Sequence, residues 1–492
     1  MDKLHYNLDF LNIGGQWFPK EDLDRLADYK FMRELFELST EDFIHRIFPT
    51  GLVDIADYTK FVHCNRLLPY PRLLTLKTTD MVMGQVPSIM AQGNNDDTTE
   101  KIKDLIFDSD LFTVFKKGII DYSRFGVMIL RVFKERGKAK ICAWDPREWV
   151  PVYYEDGTLR IHYNVIGWKS ADNTKLFLQI HDTETGAYEE RECSIDNDGT
   201  ILSINKSTKI STNGKCMLFA ITNTPTTTNP LGTSDYSIIS ALMQKAIERL
   251  TAILRVLDEH ADPSMTGPHS LLEKTDSGEL VFKTSKYYAV GDDEQKPEYL
   301  VWNANLDSSF KAFDELMSQI YILSEMGSAF LGADKGTGNV VSGTSMRFKM
   351  VSPLEKARRI QSDMTRPLKD ILSVMLSIEN VDLKARDINI TWKDCLPRDP
   401  RELAELAKLE SGSKAIKPLL HAIMDNYDMD EQTAQHYVEG IIDDQKKFGT
   451  GELSEDVVAS DNRSLATGQT KGSLMDPASE ENVSDEDKKA LK

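Results

Sequence analysis

The 492-residue chain reads as an α+β protein whose helical and antiparallel β segments are segregated along the sequence. Three observations predict this. Apolar residues recur at three- and four-residue spacing up to Gly126. From Val127 to Ile221 the pattern changes to short, β-branched and aromatic runs between Gly, Asp and Asn turns. Beyond Ser234 long helical patterns return, interrupted by a turn-rich module between Pro263 and Ala304. No βαβ alternation is present, which argues against a Rossmann arrangement.

Lys20 to Phe48 carries Leu23, Leu26, Phe31, Leu35 and Phe43 at helical spacing, with Ser39-Thr40-Glu41-Asp42 as a break and new N-cap. A second apolar helix is predicted from Leu73 through Met83, ended by Gly84 and Pro87. Thr98 to Gly126 gives two helices divided near Ser109. Val127 to Phe133 is the first strand, and Glu135-Arg136-Gly137 turns the chain into the next, Ala139 to Trp144. Further strands are expected at Trp149–Tyr154, Leu159–Trp168, Lys175–His181 and Met217–Ile221.

Thr222 to Pro230 is a Thr-, Asn- and Pro-rich linker. A long helix opens at Ser234-Asp235, with Ile239, Leu242, Ala246, Leu250, Ile253 and Leu257 on one face, and stops at Ala261-Asp262-Pro263. Strand candidates Glu279–Lys283, Lys286–Val290 and Glu298–Trp302 follow. A second long helix opens at Asp307 and carries its apolar stripe to Met326. Helical periodicity alone also fits an ordinary helical core with a surface insertion. After the loop Gly332–Gly343 another long helix is predicted from Thr344 to Ile378, which Pro353 and Pro367 should kink or break. Ile388 to Trp392 is one more strand, and Asp399 to Phe448 a helical end region. The tail from Gly449 to Lys492 has the composition of disordered chain.

Composition narrows the function. No stretch approaches the roughly 20 apolar residues that span a bilayer, and Met1 to Tyr6 lacks the basic and apolar regions of a secretory signal. The chain is therefore expected to stay where it is made. Its five cysteines (Cys64, Cys142, Cys193, Cys216, Cys395) lie far apart without a Cys-x-x-Cys pair, which argues against a disulfide framework or structural zinc. None of the nine histidines has metal-ligand spacing. His260 is better read as a cation near a helix C-terminus than as a ligand. The net charge of −19 argues against a static, sequence-specific DNA binder, which needs basic patches. The glycine-rich loop fails as a phosphate cradle, because Lys335 precedes Gly336 instead of following the last glycine. No nucleophile motif, carboxylate pair or Cys/His dyad stands out. Enzymatic activity and cofactors are not expected.

Five stretches, taken in order, resemble portal proteins of tailed bacteriophages, closest to those of long-tailed phages of Gram-positive type. Val82-Met83-Gly84-Gln85-Val86-Pro87 is similar to the turn ending that family's first helices. Trp144-Asp145-Pro146-Arg147-Glu148-Trp149-Val150-Pro151-Val152 resembles its Asp-Pro-x-Glu strand opening. Leu231-Gly232-Thr233-Ser234-Asp235 resembles the Gly-x-Ser-Asp start of its first stem helix. Ser342-Gly343-Thr344-Ser345-Met346 resembles the Ser-Gly pair after its tunnel loop, although Thr344-Ser345 stands where a small apolar pair is usual. Trp392-Lys393-Asp394-Cys395-Leu396-Pro397-Arg398-Asp399 resembles its strand and turn into the crown.

The resemblance implies a portal fold. Residues 1–232 would be the N-terminal wing, 233–262 and 306–331 the two stem helices, and 263–305 the clip between them. The tunnel loop would be 332–343, the kinked helix and wing strand 344–398, the helical crown 399–448, and the acidic tail 449–492. It also implies a homo-oligomeric ring, expected to be dodecameric, at one capsid vertex of a virion assembled in the host cytoplasm. Double-stranded DNA would pass through that ring during packaging and ejection. The implied partners are the terminase large subunit, the head-tail adaptor, and the major capsid and scaffolding proteins, with no membrane. Acidic walls suit a conduit. Binding through 6–10 phosphate contacts changes by about 10³–10⁵ between 50 and 200 mM salt, a grip too strong for sliding DNA. The candidate channel residues are Lys335, Gly336, Thr337, Gly338, Asn339, Val340, Val341, Arg347 and Lys349. Each cation could equally be a solvated surface charge. Tyr287, Tyr288 and Tyr299 are the candidate clip-docking residues, since aromatics are enriched at interfaces. They could instead pack the module's own core. Two other readings stay open: a nucleotide-binding enzyme using the Gly332–Gly343 loop, and an acidic scaffold or adaptor.

Overall fold

The computed structural model describes residues 4–37, 68–92, 96–261, 306–327 and 349–393. It also describes the short stretches 265–268, 273–274, 280–281, 287–290 and 298–299, and, in the C-terminal unit, 424, 434–440 and 443. Residues 1–398 form one compact unit and 399–492 another. In the second unit 434–440 is helical. The rest of the predicted crown, the 449–492 tail, the second half of the Lys20–Phe48 pattern and the 332–343 loop lie outside the described residues.

The fold is α+β, as the residue pattern predicts. Helices α1 (Leu23–Glu37) and α2 (Tyr70–Met83) come first. The latter starts three residues earlier than expected, because Pro71 sits in its first turn, where no donor is needed. Strand β1 (Ser88–Ala91) precedes helices α3 (Asp96–Ser109) and α4 (Leu111–Phe125). Gly126 ends α4 in left-handed conformation, and its N–H donates to the Tyr122 carbonyl.

Strands β2 (Val127–Glu135) and β3 (Lys138–Trp144) form a hairpin whose two turn residues, Arg136 and Gly137, both have positive φ. An antiparallel five-stranded meander follows: β4 (Trp149–Tyr153), β5 (Ile161–Lys169), β6 (Lys175–Asp182), β7 (Tyr188–Ile195) and β8 (Ile201–Ile210). Its core holds Trp17, Val150, Val165, Leu178 and Ile195. The sequence pattern missed β7 and β8, which are largely polar and lack alternation. Cross-strand partners hold them: Lys175 reaches Glu192 at 2.8 Å, Gln179 reaches Glu190 at 2.8 Å, and Ser207 donates to Glu189 at 2.7 Å. Strand β9 (Leu218–Thr222) returns to pair with β2.

Helix α5 (Asp235–Ala261) leads to a small β module of β10 (Met265–Pro268), β11 (Glu273–Lys274), β12 (Leu280–Val281), β13 (Tyr287–Val290) and β14 (Glu298–Tyr299). Here β10 pairs in parallel with β13 and antiparallel with β14, while β11 and β12 form a hairpin. The first two of these strands were not foreseen. Helix α6 (Asp307–Leu323) returns antiparallel to α5, and Ile239, Met243, Ala246, Ile247 and Ile320 are buried in one cluster with α1 and α2.

A helix boundary does fall beside Pro353, since Met350 is a turn and helix α7 spans Val351–Ile378, but the break expected at Pro367 is absent. Pro353 lies in its first turn, where backbone donors are unpaired anyway. Pro367 lies inside and the helix runs on through it. Its stripe of Ile360, Met364, Leu368, Ile371, Leu372 and Met375 is buried against α2, α3, β2, β3 and β9. Burying these six side chains, at about 1.5–3 kcal/mol each, together outweighs the roughly 3 kcal/mol cost of an internal proline. Strand β15 (Ile388–Thr391) closes the unit by pairing with β1, about 300 positions away in sequence by the pairing Ser88 to Thr391. Among the described residues no helix is long and apolar enough to cross a membrane.

Candidate functional site: the loop base and the polar hub behind it

The start of α5 is built like a socket. Gly232 has φ +82°, and a Cβ there would run into the Gly126 carbonyl oxygen. A Cβ on Gly126 would in turn lie 2.7 Å from the Thr233 carbonyl carbon. The two glycines thus let the segment before α5 lie directly on the α4–β2 junction. Asn223 fastens it: its N–H donates to the Gly126 carbonyl at 2.7 Å, and its own carbonyl accepts from Thr233 N–H at 2.9 Å. Ser234 caps α5, its Oγ accepting from Tyr236 N–H at 3.0 Å and donating to the Arg124 carbonyl at 2.6 Å.

Behind the socket lies a connected polar network. Asp235 accepts hydrogen bonds from Ser123 Oγ (2.7 Å) and Asn223 Nδ2 (3.2 Å), and pairs with Lys356 Nζ at 3.2 Å. The same ammonium donates to the Ser324 carbonyl at 3.2 Å. Ser324 Oγ lies 2.6 Å from the Tyr70 hydroxyl. From Ser123 the chain of contacts continues to Thr75, whose Oγ lies 3.2 Å from Ser123 Oγ and 2.6 Å from the Tyr236 hydroxyl. Lys356 is 4% exposed. Burial pushes the Tyr70 hydroxyl up to about 12 and those of Tyr122 and Tyr236 still higher, so all three stay protonated at neutral pH. One ammonium therefore ties the first turn of α5, the end of α6 and the start of α7.

This hub explains where α6 stops. The stripe was expected to continue through Met326, but α6 ends at Leu323 and Glu325 turns left-handed at φ +61°. Arg359 of α7 holds the Glu325 carboxylate with two contacts of 2.8 and 3.0 Å, and Ser352 Oγ donates to the Glu325 carbonyl at 3.2 Å. Tyr122 donates to Asp363 at 3.3 Å, linking α4 to the same helix. A Cβ on Gly327 would sit 3.8 Å from the Lys349 carbonyl oxygen. Gly327 and Lys349, the described residues on either side of 328–348, thus lie close together beside the clamped end of α6.

Of the candidate channel residues, Lys349 is described. It is exposed at that base, just ahead of α7. Lys335, Gly336, Thr337, Gly338, Asn339, Val340, Val341 and Arg347 lie outside the described residues. Tyr287 and Tyr299 sit on β13 and β14, each paired in register with Met265, and Tyr288 pairs with Thr266. The hub residues Lys356, Ser324, Glu325 and Arg359 were not singled out from sequence. A signal existed for Lys356: it falls on the α7 stripe between Pro353 and Ile360, a position otherwise reserved for apolar side chains. Among the described residues no group of three or more His, Cys, Asp or Glu side chains could hold a metal ion.

No protein-family model matches the chain, and no curated protein matches it. Among solved structures it is similar to a chain from the virion of a native gene transfer agent particle. That match has 9% identity, covers 80% of this chain and 93% of that one, and has a TM-score of 0.44. A chain from the neck of an empty gene transfer agent particle, computed with C6 symmetry, matches at 9% identity over 76% and 90% of the two chains, with a TM-score of 0.43. Likenesses of this degree carry no argument about function.

Proposed function

We propose that the chain is a structural component of a phage-like particle, and more narrowly a portal subunit. In this role copies of it surround a channel for double-stranded DNA at one capsid vertex. The observation that carries this reading is the antiparallel α5–α6 pair, with a β module at one end and a clamped loop base at the other. At about 1.5 Å per residue, the 27 residues of α5 span about 40 Å. Such a pair, repeated around an axis, makes a tube wall with a docking module at one mouth and a ring of loops at the other. The expected ring is dodecameric, with 332–343 supplying the tunnel loops and Lys335, Arg347 and Lys349 giving shallow phosphate contacts. The module 263–305, with Tyr287, Tyr288 and Tyr299, meets the terminase large subunit and afterwards the head-tail adaptor. The acidic balance keeps DNA loosely held.

Electron microscopy of the purified full chain tests the ring, and a packaging assay tests the loop. Rings with a central hole are expected, and deleting Gly336–Ser342 should leave assembly intact while impairing packaging. Packaging at the native rate after that deletion counts against a tunnel-loop role. ATP hydrolysis abolished by Lys335→Ala would point to an enzyme instead.

A further inference from the structure

A cavity of about 230 Å³ opens in the first unit between α1, β4 and the segment leading into α5. Met32, Phe125, Pro151 and Leu231 give it an apolar wall. Its polar wall sets one arginine, Arg25, against four carboxylates, Glu21, Asp22, Asp24 and Asp28. His5 also lines it and is held by Asp22 at 2.8 Å.

Two buried polar groups of this cavity have no partner. Tyr153 is 1% exposed, and its hydroxyl makes no hydrogen bond. Arg25, Tyr29 and Asp22, which line the same cavity, all act on that hydroxyl, so it belongs to the site. Burial raises it well above the usual phenol range, and at neutral pH it is a donor. Arg25 donates from Nε to Asp22 and from Nη2 to the Trp149 carbonyl, each at 2.9 Å, while Nη1 is buried and unpaired. The rings of Tyr29 and Trp149, with centroids 5.3 and 5.9 Å away, hold the guanidinium in place. Carboxylates suit the first turn of any helix, so the acids alone mark nothing. Unpaired buried donors are rare in native proteins, and these two mark the site.

Two fixed donors at the buried end call for an oxygen acceptor. An anionic oxygen is disfavoured, because Asp22 already neutralises Arg25 and three further carboxylates line the same space. A neutral carbonyl meets no such repulsion. Asp28 has a partner of its own, but Glu21 and Asp24 are exposed and attract a cation. A cavity of about 150 Å³ takes benzene, so by proportion this one takes about nine heavy atoms, the size of one lysine residue.

We infer that the cavity takes one lysine residue of a partner polypeptide. Its backbone carbonyl accepts from Arg25 Nη1 and the Tyr153 hydroxyl, and its ammonium sits by Glu21 and Asp24. The aliphatic stem lies along Met32, Phe125 and Leu231. A free amino acid fits less well, since its carboxylate would face the acids. The site lies within one chain, so it does not depend on ring formation.

Calorimetric titration of the full chain with lysine blocked as its Nα-acetyl, N-methylamide derivative tests it. Saturable one-to-one binding is expected, with a Kd on the order of 1 mM. Blocked norleucine, which lacks the ammonium, and free lysine, which adds a carboxylate, should bind at least about tenfold more weakly. Tyr153→Phe, and Glu21→Gln with Asp24→Asn, should each weaken blocked lysine at least about fivefold. Absence of saturation means that water alone fills the cavity and overturns the inference. Blocked norleucine binding as well as blocked lysine overturns it too, as does unchanged affinity in either variant. Free lysine binding as tightly as the blocked form assigns the cavity to a free amino acid and removes the polypeptide. If Tyr153→Phe fails to fold, the surface double variant and the norleucine comparison decide.

Discussion

Lys356 bridges three helices with one charge, and its energetics follow from its burial. Its side chain is 5% exposed and that of Asp235 11%, so the pair stands largely outside water. Both ends are further satisfied, the carboxylate by Ser123 and Asn223 and the ammonium by the Ser324 carbonyl. Lys356→Met removes one partner and leaves the other buried. Chemical denaturation should show a loss of about 3 kcal/mol or more; a loss within ~0.5 kcal/mol, the scale of ordinary surface changes, would mean the pair is not structural. Asp121 behaves differently. Burial pushes its carboxyl up to about 6, although Arg124 lies 2.8 Å away and pulls the other way. Unfolded, it titrates near 3.8. The folded state therefore holds the proton more tightly, and this group adds stability as pH falls from above 6 towards 4, by at most ~3 kcal/mol. Measured against Asp121→Asn, the native chain should gain stability over that window. A constant difference between the two proteins from pH 7 to pH 4 would refute the assignment.

Helices and strands were legible to different degrees, for one reason. The split of α3 from α4, the Gly126 stop and the start of α5 follow from caps, glycines and periodicity within a few residues of each boundary. Strands β1, β7 and β8 could not be read that way. Their pairing partners are remote or polar, and the stabilising contacts belong to the sheet, not to the strand's own pattern. The early end of α6 has the same origin: Glu325 is turned by Ser352 and Arg359 of another helix. The Gly232 socket lies between these cases. Its motif was visible, but its purpose, close backbone contact with Gly126, required the fold. Gly232→Ala should lower stability by about 1–3 kcal/mol, from strained φ and the collision with Gly126, as read by the thermal midpoint. An unchanged midpoint would show that the approach is not tight.

The assembled chain turns these local devices into a layout. Two long helices rise from a hub, a β module joins their far ends, and Gly327 and Lys349 lie close together at their near ends. The net charge of −19, an objection to any static grip on DNA, is what the proposed portal role would call for in a channel that DNA slides through. Segregated helical and β regions, the order of parts, and the acidic balance were all written in local spacing and composition. The hub and the clamped end of α6 were not. They bring together Tyr70, Ser123, Asp235, Ser324 and Lys356 from five separate stretches. Periodicity reports which face of one element is buried; only packing decides which buried polar groups meet, and which faces remain for another molecule.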